Sequence, residues 1–145
     1  MAINRSNHNI NIQLKQTMPT VLEYKQLRAL VGWTDVDSNM VNIALKNSLF
    51  HVTARYDATL IGMARVIGDG AMFFYVQDLV VHPDFQNLGI GHKLMEHIEQ
   101  YLAQNTKQGA TIGLLSAQGK ESFYLRYGYM KRSGDPWGLG MCKFI

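Results

Sequence analysis

Residues 72–102 read MFFYVQDLVVHPDFQNLGIGHKLMEHIEQYL, and this stretch decides the fold. Met72 to Val81 is rich in aromatic and β-branched residues and reads as a central strand, buried on both faces toward its end. Pro83 stops it. After Gly89-Ile90-Gly91 the period changes, with Leu94, Met95, Ile98, Tyr101 and Leu102 on one face of a long amphipathic helix. A helix start presents unpaired N–H groups and the positive end of the macrodipole, which favours an anion. Gly89 and Gly91 carry no Cβ, so phosphate oxygens can approach the backbone and the turn can adopt positive φ. His92 and Lys93 lie in the first turn and add charge there. Glycines also punctuate ordinary strand-to-helix turns, so the pair by itself leaves a plain turn open. The segment has neither the Gly-Lys-Ser/Thr of a Walker loop nor the third glycine of a Rossmann turn.

Upstream, Ile10 to Leu14 alternates and reads as a first strand. Val21, Leu22, Leu27, Leu30 and Val31 recur at helical spacing, with Gly32 as the C-terminal stop. Asp37 or Ser38 caps a second helix carrying Met40, Val41, Ala44 and Leu45. Leu49 to Arg55 and Leu60 to Val66 read as a hairpin about the turn at 56–59, and Gly68-Asp69-Gly70 is a second turn. Downstream, Thr111 to Leu115 reads as a strand and Lys120 to Arg126 as a short helix. Tyr129 to Arg132 and Met141 to Phe144 read as final strands. A hairpin meander followed by a strand–helix–strand unit predicts an α/β fold with a mixed, mostly antiparallel sheet flanked by helices.

The 145 residues suit one domain, 1–145, and no repeat or linker divides them. Apolar residues are 47% and charged residues 17%, the balance of a soluble globular chain. No apolar run approaches the roughly 20 residues a bilayer requires. Met1 to Lys15 is polar and lacks the apolar stretch of a secretory signal, and Cys142 has no partner for an intramolecular disulfide. Both point to the cytoplasm and away from a membrane. The net charge of +3 is spread out, with Lys131-Arg132 the one adjacent basic pair, which argues against nucleic acid as a partner. Histidines 8, 51, 82, 92 and 97 show no spacing suited to a metal.

Val81-His82-Pro83-Asp84-Phe85-Gln86-Asn87-Leu88-Gly89-Ile90-Gly91 resembles motif A of the GNAT superfamily of N-acetyltransferases, whose signature is Gln/Arg-x-x-Gly-x-Gly/Ala after a strand. The resemblance covers the element order from Ile10 to Ile145. It implies acetyl-CoA as co-substrate, with the backbone of Gln86, Asn87, Leu88, Gly89, Ile90, Gly91 and His92, helped by Lys93, around the pyrophosphate. It also implies that the strand end Leu79, Val80 and Val81 pairs with the pantetheine amides. Phe123-Tyr124-Leu125-Arg126-Tyr127-Gly128-Tyr129 resembles the Phe-Tyr-x-x-x-Gly-Phe segment of motif B. When an amine attacks the thioester, CoA leaves as a thiolate and wants a proton. A phenol of pKa about 10 keeps that proton at neutral pH. Tyr124 occupies the family's position for the acid, and Phe123, Tyr127 and Tyr129 read as packing. Where many relatives carry an Asn on the preceding strand, this chain has Ser116-Ala117-Gln118.

In some relatives a Glu or His on the strand before motif A serves as base; here the matching positions hold Tyr75 and Gln77. Asp78 is the one carboxylate between Met72 and Val81. It reads either as the base or as a hydrogen-bonded structural acid, because alternation aims it at the opposite face unless a bulge intervenes. A water relay past Tyr75 is the other route. His51 and His82 read as surface or packing residues. Arg65 to Gly70 and Gln77 to Val81 look like plastid-type serotonin N-acetyltransferases and their bacterial relatives. That likeness implies an aryl-alkylamine or similar primary amine, or a protein lysine; a polyamine or amino sugar belongs to the same class of acceptor. Trp33, Tyr75 and Gln77 are the acceptor-side candidates, and Trp33 and Trp137 serve equally as packing. A homodimer is carried as analogy with similar proteins. The other readings are a non-catalytic acyl-CoA sensor and an unrelated nucleotide-binding domain.

Overall fold

The computed structural model describes residues 11–145. In chain order the elements are β1 (Ile12–Lys15), α1 (Val21–Leu30), α2 (Ser38–Lys46), β2 (Phe50–Tyr56), β3 (Thr59–Gly68), β4 (Phe73–Val81), a 3-10 turn (Pro83–Phe85), α3 (Ile90–Asn105), β5 (Thr111–Gly113) and α4 (Glu121–Leu125). Ile10, expected in the first strand, lies outside the described residues. The chain forms two compact units, one ending at Leu114 and one from Leu115 to Ile145. No helix among the described residues is long and apolar enough to cross a membrane.

Local chemistry sets the boundaries. Thr20 opens α1 with a reciprocal cap: its side chain accepts from the Glu23 N–H, and the Glu23 carboxylate accepts from the Thr20 N–H. Gly32, at φ 77°, lets the chain leave α1 in the left-handed region. Asp37 caps α2 by accepting from the Met40 N–H at 3.0 Å. Between β2 and β3 the two-residue turn holds Asp57 at φ 45° and Ala58 at φ 68°, the double positive φ that a tight hairpin demands.

The sheet runs β1-β2-β3-β4-β5. The first four strands are antiparallel and β5 is parallel to β4, so the sheet is mixed, as expected. Register sorts the faces, because directly paired residues point the same way. Gly62 pairs with Val81 on the face of α3, where a Cβ at Gly62 would stand 3.2 Å from Leu94 Cδ1 and 3.4 Å from Ile90 Cγ2. Met63 pairs with Val80, and both belong to the cluster of Tyr24, Leu27, Val41 and Leu45 under α1 and α2. The core is therefore split by the sheet. Leu94, Met95, Ile98 and Leu102 are buried along α3, the apolar face read from the sequence.

The final strands expected at 129–132 and 141–144 do not form; β5 is also shorter than expected, ending at Gly113. Met130 is 74% exposed, and Met141 and Phe144 are each 92% exposed. Alternation in sequence describes a pleated surface, but a strand exists only where a ladder and a buried face support it. Neither segment has them.

Candidate functional site

The end of β4 and the start of α3 are joined by a short, closely fastened turn. The His82 N–H donates to the Ile61 carbonyl at 2.7 Å, and His82 Nδ1 accepts from the Asp84 N–H at 3.0 Å. Phe85 is buried beside the rings of His82 and Tyr56. Gln86 folds back so that Nε2 donates to the Val81 carbonyl at 3.1 Å. The chain then turns through Asn87 at φ 63° and Gly89 at φ 78° before α3 begins. Lys93 closes the first helical turn by donating to the Gly89 carbonyl at 3.1 Å. Gln86 and Asn87 form the corner of a turn, and the N–H groups of Asn87, Gly89, Ile90 and Gly91 have no backbone acceptor among the described residues. These amides stand at the positive end of a 16-residue helix, a position that favours an anion. Ile90 and Val80 are 2% and 5% exposed, so each offers backbone there and spends its side chain in the core. His92 is half-buried and Lys93 exposed.

β4 outruns its neighbour. Only Phe73, Phe74 and Tyr75 pair with β5, through Thr111, Ile112 and Gly113. From Val76 to Val81 no strand among the described residues pairs with that edge of β4. Such an edge can accept an extended chain bearing amides.

On the other side of β4 lies a buried charge. Arg65 pairs with Gln77 and Met63 with Val80, so two residues of β4, Asp78 and Leu79, face the single residue Ala64. This is a β-bulge, and Asp78 sits in it at φ 58°. The extra residue returns Asp78 to the face shared by Tyr75, Gln77 and Val80, which is the face of α1 and α2. Oδ2 accepts from the Tyr24 hydroxyl and from Arg65 Nε, each at 2.7 Å. Oδ1 accepts from Gln77 Nε2 at 3.0 Å and lies 3.6 Å from Arg28 NH1. Burial, then the Asp78 charge, pushes the Tyr24 phenol up from its ordinary value, so it stays a donor.

The two arginines extend the network. Arg65 NH1 donates to Ser48 Oγ at 3.0 Å and to the Ala44 carbonyl at 3.3 Å, at the end of α2. Arg28 NH2 donates to the Thr34 carbonyl at 3.0 Å. The Arg28 guanidinium carbon lies 5.2 Å from the Trp33 ring centre and 5.5 Å from that of Tyr24, while its Nε is buried with no hydrogen-bond partner among the described residues. Two guanidinium groups thus share one carboxylate.

Among the other sequence candidates, Trp33 packs on the core cluster and under Arg28. Tyr75 is half-buried at the last β4–β5 pair. His51 is half-buried, bonded to the Leu45 carbonyl at 2.8 Å, and burial lowers its pKa. Tyr124 lies in α4, in the second compact unit, within an aromatic group that includes Phe123 at 5.2 Å and Tyr129 at 6.3 Å between ring centres. Trp137 is 64% exposed. Sequence reading missed Tyr24 and Arg28 as polar partners; an acid inside an apolar strand was the one signal that such partners were required.

A mixed sheet whose long central strand passes through a glycine turn into a helix defines an α/β protein with a helix start suited to an anion. Comparison with known proteins gives the family. The model of the acetyltransferase (GNAT) domain matches residues 22–137. The uncharacterized N-acetyltransferase ycf52 of Pyropia yezoensis is 36% identical over 138 residues, covering 92% of this chain and 71% of that protein. The GCN5-related N-acetyltransferase 1, chloroplastic, of Arabidopsis thaliana is 30% identical over 119 residues, covering 81% of this chain and 58% of that protein. Among solved structures, a probable acetyltransferase of unknown function from meticillin-resistant Staphylococcus aureus superposes with a TM-score of 0.83 at 29% identity, covering 91% and 99% of the two chains. The chain belongs to the GNAT family and is an N-acetyltransferase.

Proposed function

We propose that the protein transfers the acetyl group of acetyl-CoA to a primary amine by direct attack, and that the acceptor is a small amine of the aryl-alkylamine, polyamine or amino-sugar kind. One observation carries the cofactor half of this reading: the amides of Gly89, Ile90 and Gly91, without a backbone acceptor among the described residues, follow the end of β4 that no described strand pairs. A diphosphate takes the amides, and a pantetheine arm takes the strand edge at Leu79 to Val81. The amine nitrogen attacks the thioester carbonyl, the C–S bond breaks, and the CoA thiolate takes a proton. Tyr124 is assigned as the donor of that proton on the motif resemblance and its phenol chemistry. The amine proton leaves by ordered water past Tyr75. Holding amine and thioester together supplies much of the acceleration. The family match from 22 to 137 runs through both compact units, which supports reading 1–145 as one catalytic domain.

Calorimetric titration with acetyl-CoA, desulfo-CoA and ATP tests the cofactor. The expected result is micromolar affinity for the two CoA species and none for ATP, in the range of ordinary enzyme substrates. Thiol release with tryptamine, spermidine, glucosamine and a lysine peptide tests the acceptor. Absence of CoA binding overturns the reading, and turnover of the lysine peptide alone moves the acceptor to protein.

A further inference from the structure

The carboxylate of Asp78 gathers donors from α1, from β3 and from its own strand, at a bulge beside the free edge of β4. We infer that Asp78 is a positioning residue: it locks the acceptor-side wall, made by α1 and the end of α2, to the bulge of β4, and it takes no proton from the amine. The inference rests on the transferase reading above and concerns the acceptor side alone.

Four features lead to it. Asp78 stands at φ 58°, where an L-residue is strained and glycine is free, so a side chain is present at a conformational cost. That side chain is 1% exposed, and its oxygens accept three hydrogen bonds and face two guanidinium groups. Three of its roughly four acceptor sites are taken and the remaining one, on Oδ1, faces the Arg28 guanidinium at 3.6 Å, which leaves little room for an amine. The donors then pass the constraint on. Arg65 fixes the end of α2 through Ala44 and Ser48, and Arg28 fixes the α1–α2 connection through Thr34. Two of the sequence candidates on this face, Trp33 and Gln77, touch the network directly, by ring contact with Arg28 and by hydrogen bond to Asp78. The charged and titratable groups around the carboxylate are Tyr24, Arg28, Arg65 and, more distantly, His51.

Three variants test this: Asp78→Asn, Asp78→Gly and Tyr24→Phe. Tyr24→Phe is the mildest, removing one hydroxyl, and keeps the test alive should the Asp78 variants fail to fold. Acetyl-CoA affinity by calorimetry should stay within about twofold of wild type in all three. Turnover is followed with the amine that wild type acetylates fastest among tryptamine, spermidine and glucosamine. Its KM should rise about tenfold in the Asp78 variants and several-fold in Tyr24→Phe, with the pH–rate limb at the same pH as in wild type. Hydrogen exchange needs no acceptor and should quicken in peptides covering 21–34 and 74–81. Loss of the ascending pH limb in Asp78→Asn makes Asp78 the base and overturns the inference. So does an Asp78→Gly enzyme with wild-type acceptor KM and exchange, which would mean that only the backbone turn matters. A wild type that fails to bind acetyl-CoA defeats the transferase reading instead, and the exchange result still decides whether Asp78 holds the wall.

Discussion

The hydroxyl of Tyr24 donates to Asp78 Oδ2 at 2.7 Å, joining α1 to the bulge of β4 across 54 positions of sequence. Tyr24 is 5% exposed and Asp78 4%, so water cannot replace the bond if it is lost. Tyr24→Phe should therefore cost about 1.5–3 kcal/mol, the range for a hydrogen bond to a charged group, and toward the low end because Arg65 still holds the same oxygen. Folding raises the phenol pKa, so the fold favours the neutral form. Its contribution is complete below the unfolded value near 10 and declines as pH rises above it. Urea titrations from pH 7 to 11 should show the gap between wild type and Tyr24→Phe narrowing above pH 10.

Glu23 closes the cap of α1 and also pairs with Arg55 of β2, through NH1 and, at 3.1 Å, NH2. The hydrogen bond from Arg55 is the main cause that holds the Glu23 carboxyl at about 2, against an ordinary value of 4.5. A depressed carboxylate stabilises above its unfolded pKa and loses that contribution as pH falls. The window here runs from about pH 5 to pH 2. The pair is partly open to solvent, so Glu23→Gln should cost only about 1 kcal/mol at pH 7. Melting curves should converge with wild type as pH drops toward 2; a constant difference would mean that the Arg55 pair contributes nothing.

Much of the frame was legible because it is written in local periodicity. The apolar positions of α3, the cap at Asp37, the turn at 56–59 and the glycine turn before α3 all depend on neighbours within a few residues. The network around Asp78 was not legible. Arg65 and Asp78 meet only because β3 pairs with β4 out of simple register, and a bulge is a property of two strands rather than of one sequence. The sequence posed the right condition for Asp78, that a bulge would bring it round, without the means to say whether one exists. The final strands failed for the complementary reason. Tyr129 to Arg132 alternates as a strand does, yet nothing in the alternation itself supplies an edge to pair with.

Gly62 sits where β3 passes beneath the start of α3. A Cβ there would meet Leu94 Cδ1 at 3.2 Å, the Val80 carbonyl at 3.3 Å and Ile90 Cγ2 at 3.4 Å. The carbonyl is β4 backbone and cannot swing aside, so β3 has to shift against β4 while the Leu94 and Ile90 side chains at the start of α3 give way. Gly62→Ala should cost about 1–3 kcal/mol as overpacking and should also weaken acetyl-CoA, although residue 62 is remote from the amides themselves. Chemical denaturation and calorimetry on the same sample check both. A variant destabilised to this extent with unchanged CoA affinity would show that the helix start is not what holds the cofactor.

Gly89 makes the contrasting case, because a Cβ there meets nothing within 4 Å. The cost of Gly89→Ala is conformational: at φ 78° an alanine is disfavoured by about 1–2 kcal/mol. The methyl would also stand among the amides that the pyrophosphate is proposed to use. Affinity for acetyl-CoA should fall by tenfold or more while the thermal midpoint drops only a few degrees. Equal losses in affinity and in stability would reduce the effect to strain.

Tyr124 carries the heaviest chemical assignment on sequence grounds, and Tyr124→Phe removes one oxygen from a ring that packs edge-on against Phe123. Ring packing should survive, so acetyl-CoA affinity and the melting temperature should stay close to wild type. If the phenol donates to the departing thiolate, kcat should fall about 10²-fold or more, the ordinary worth of a positioned acid. The loss should shrink with a thioester whose thiol is more acidic, since a better leaving group needs the proton less. A uniform loss across leaving groups would assign Tyr124 to packing and leave the thiolate to be protonated by solvent.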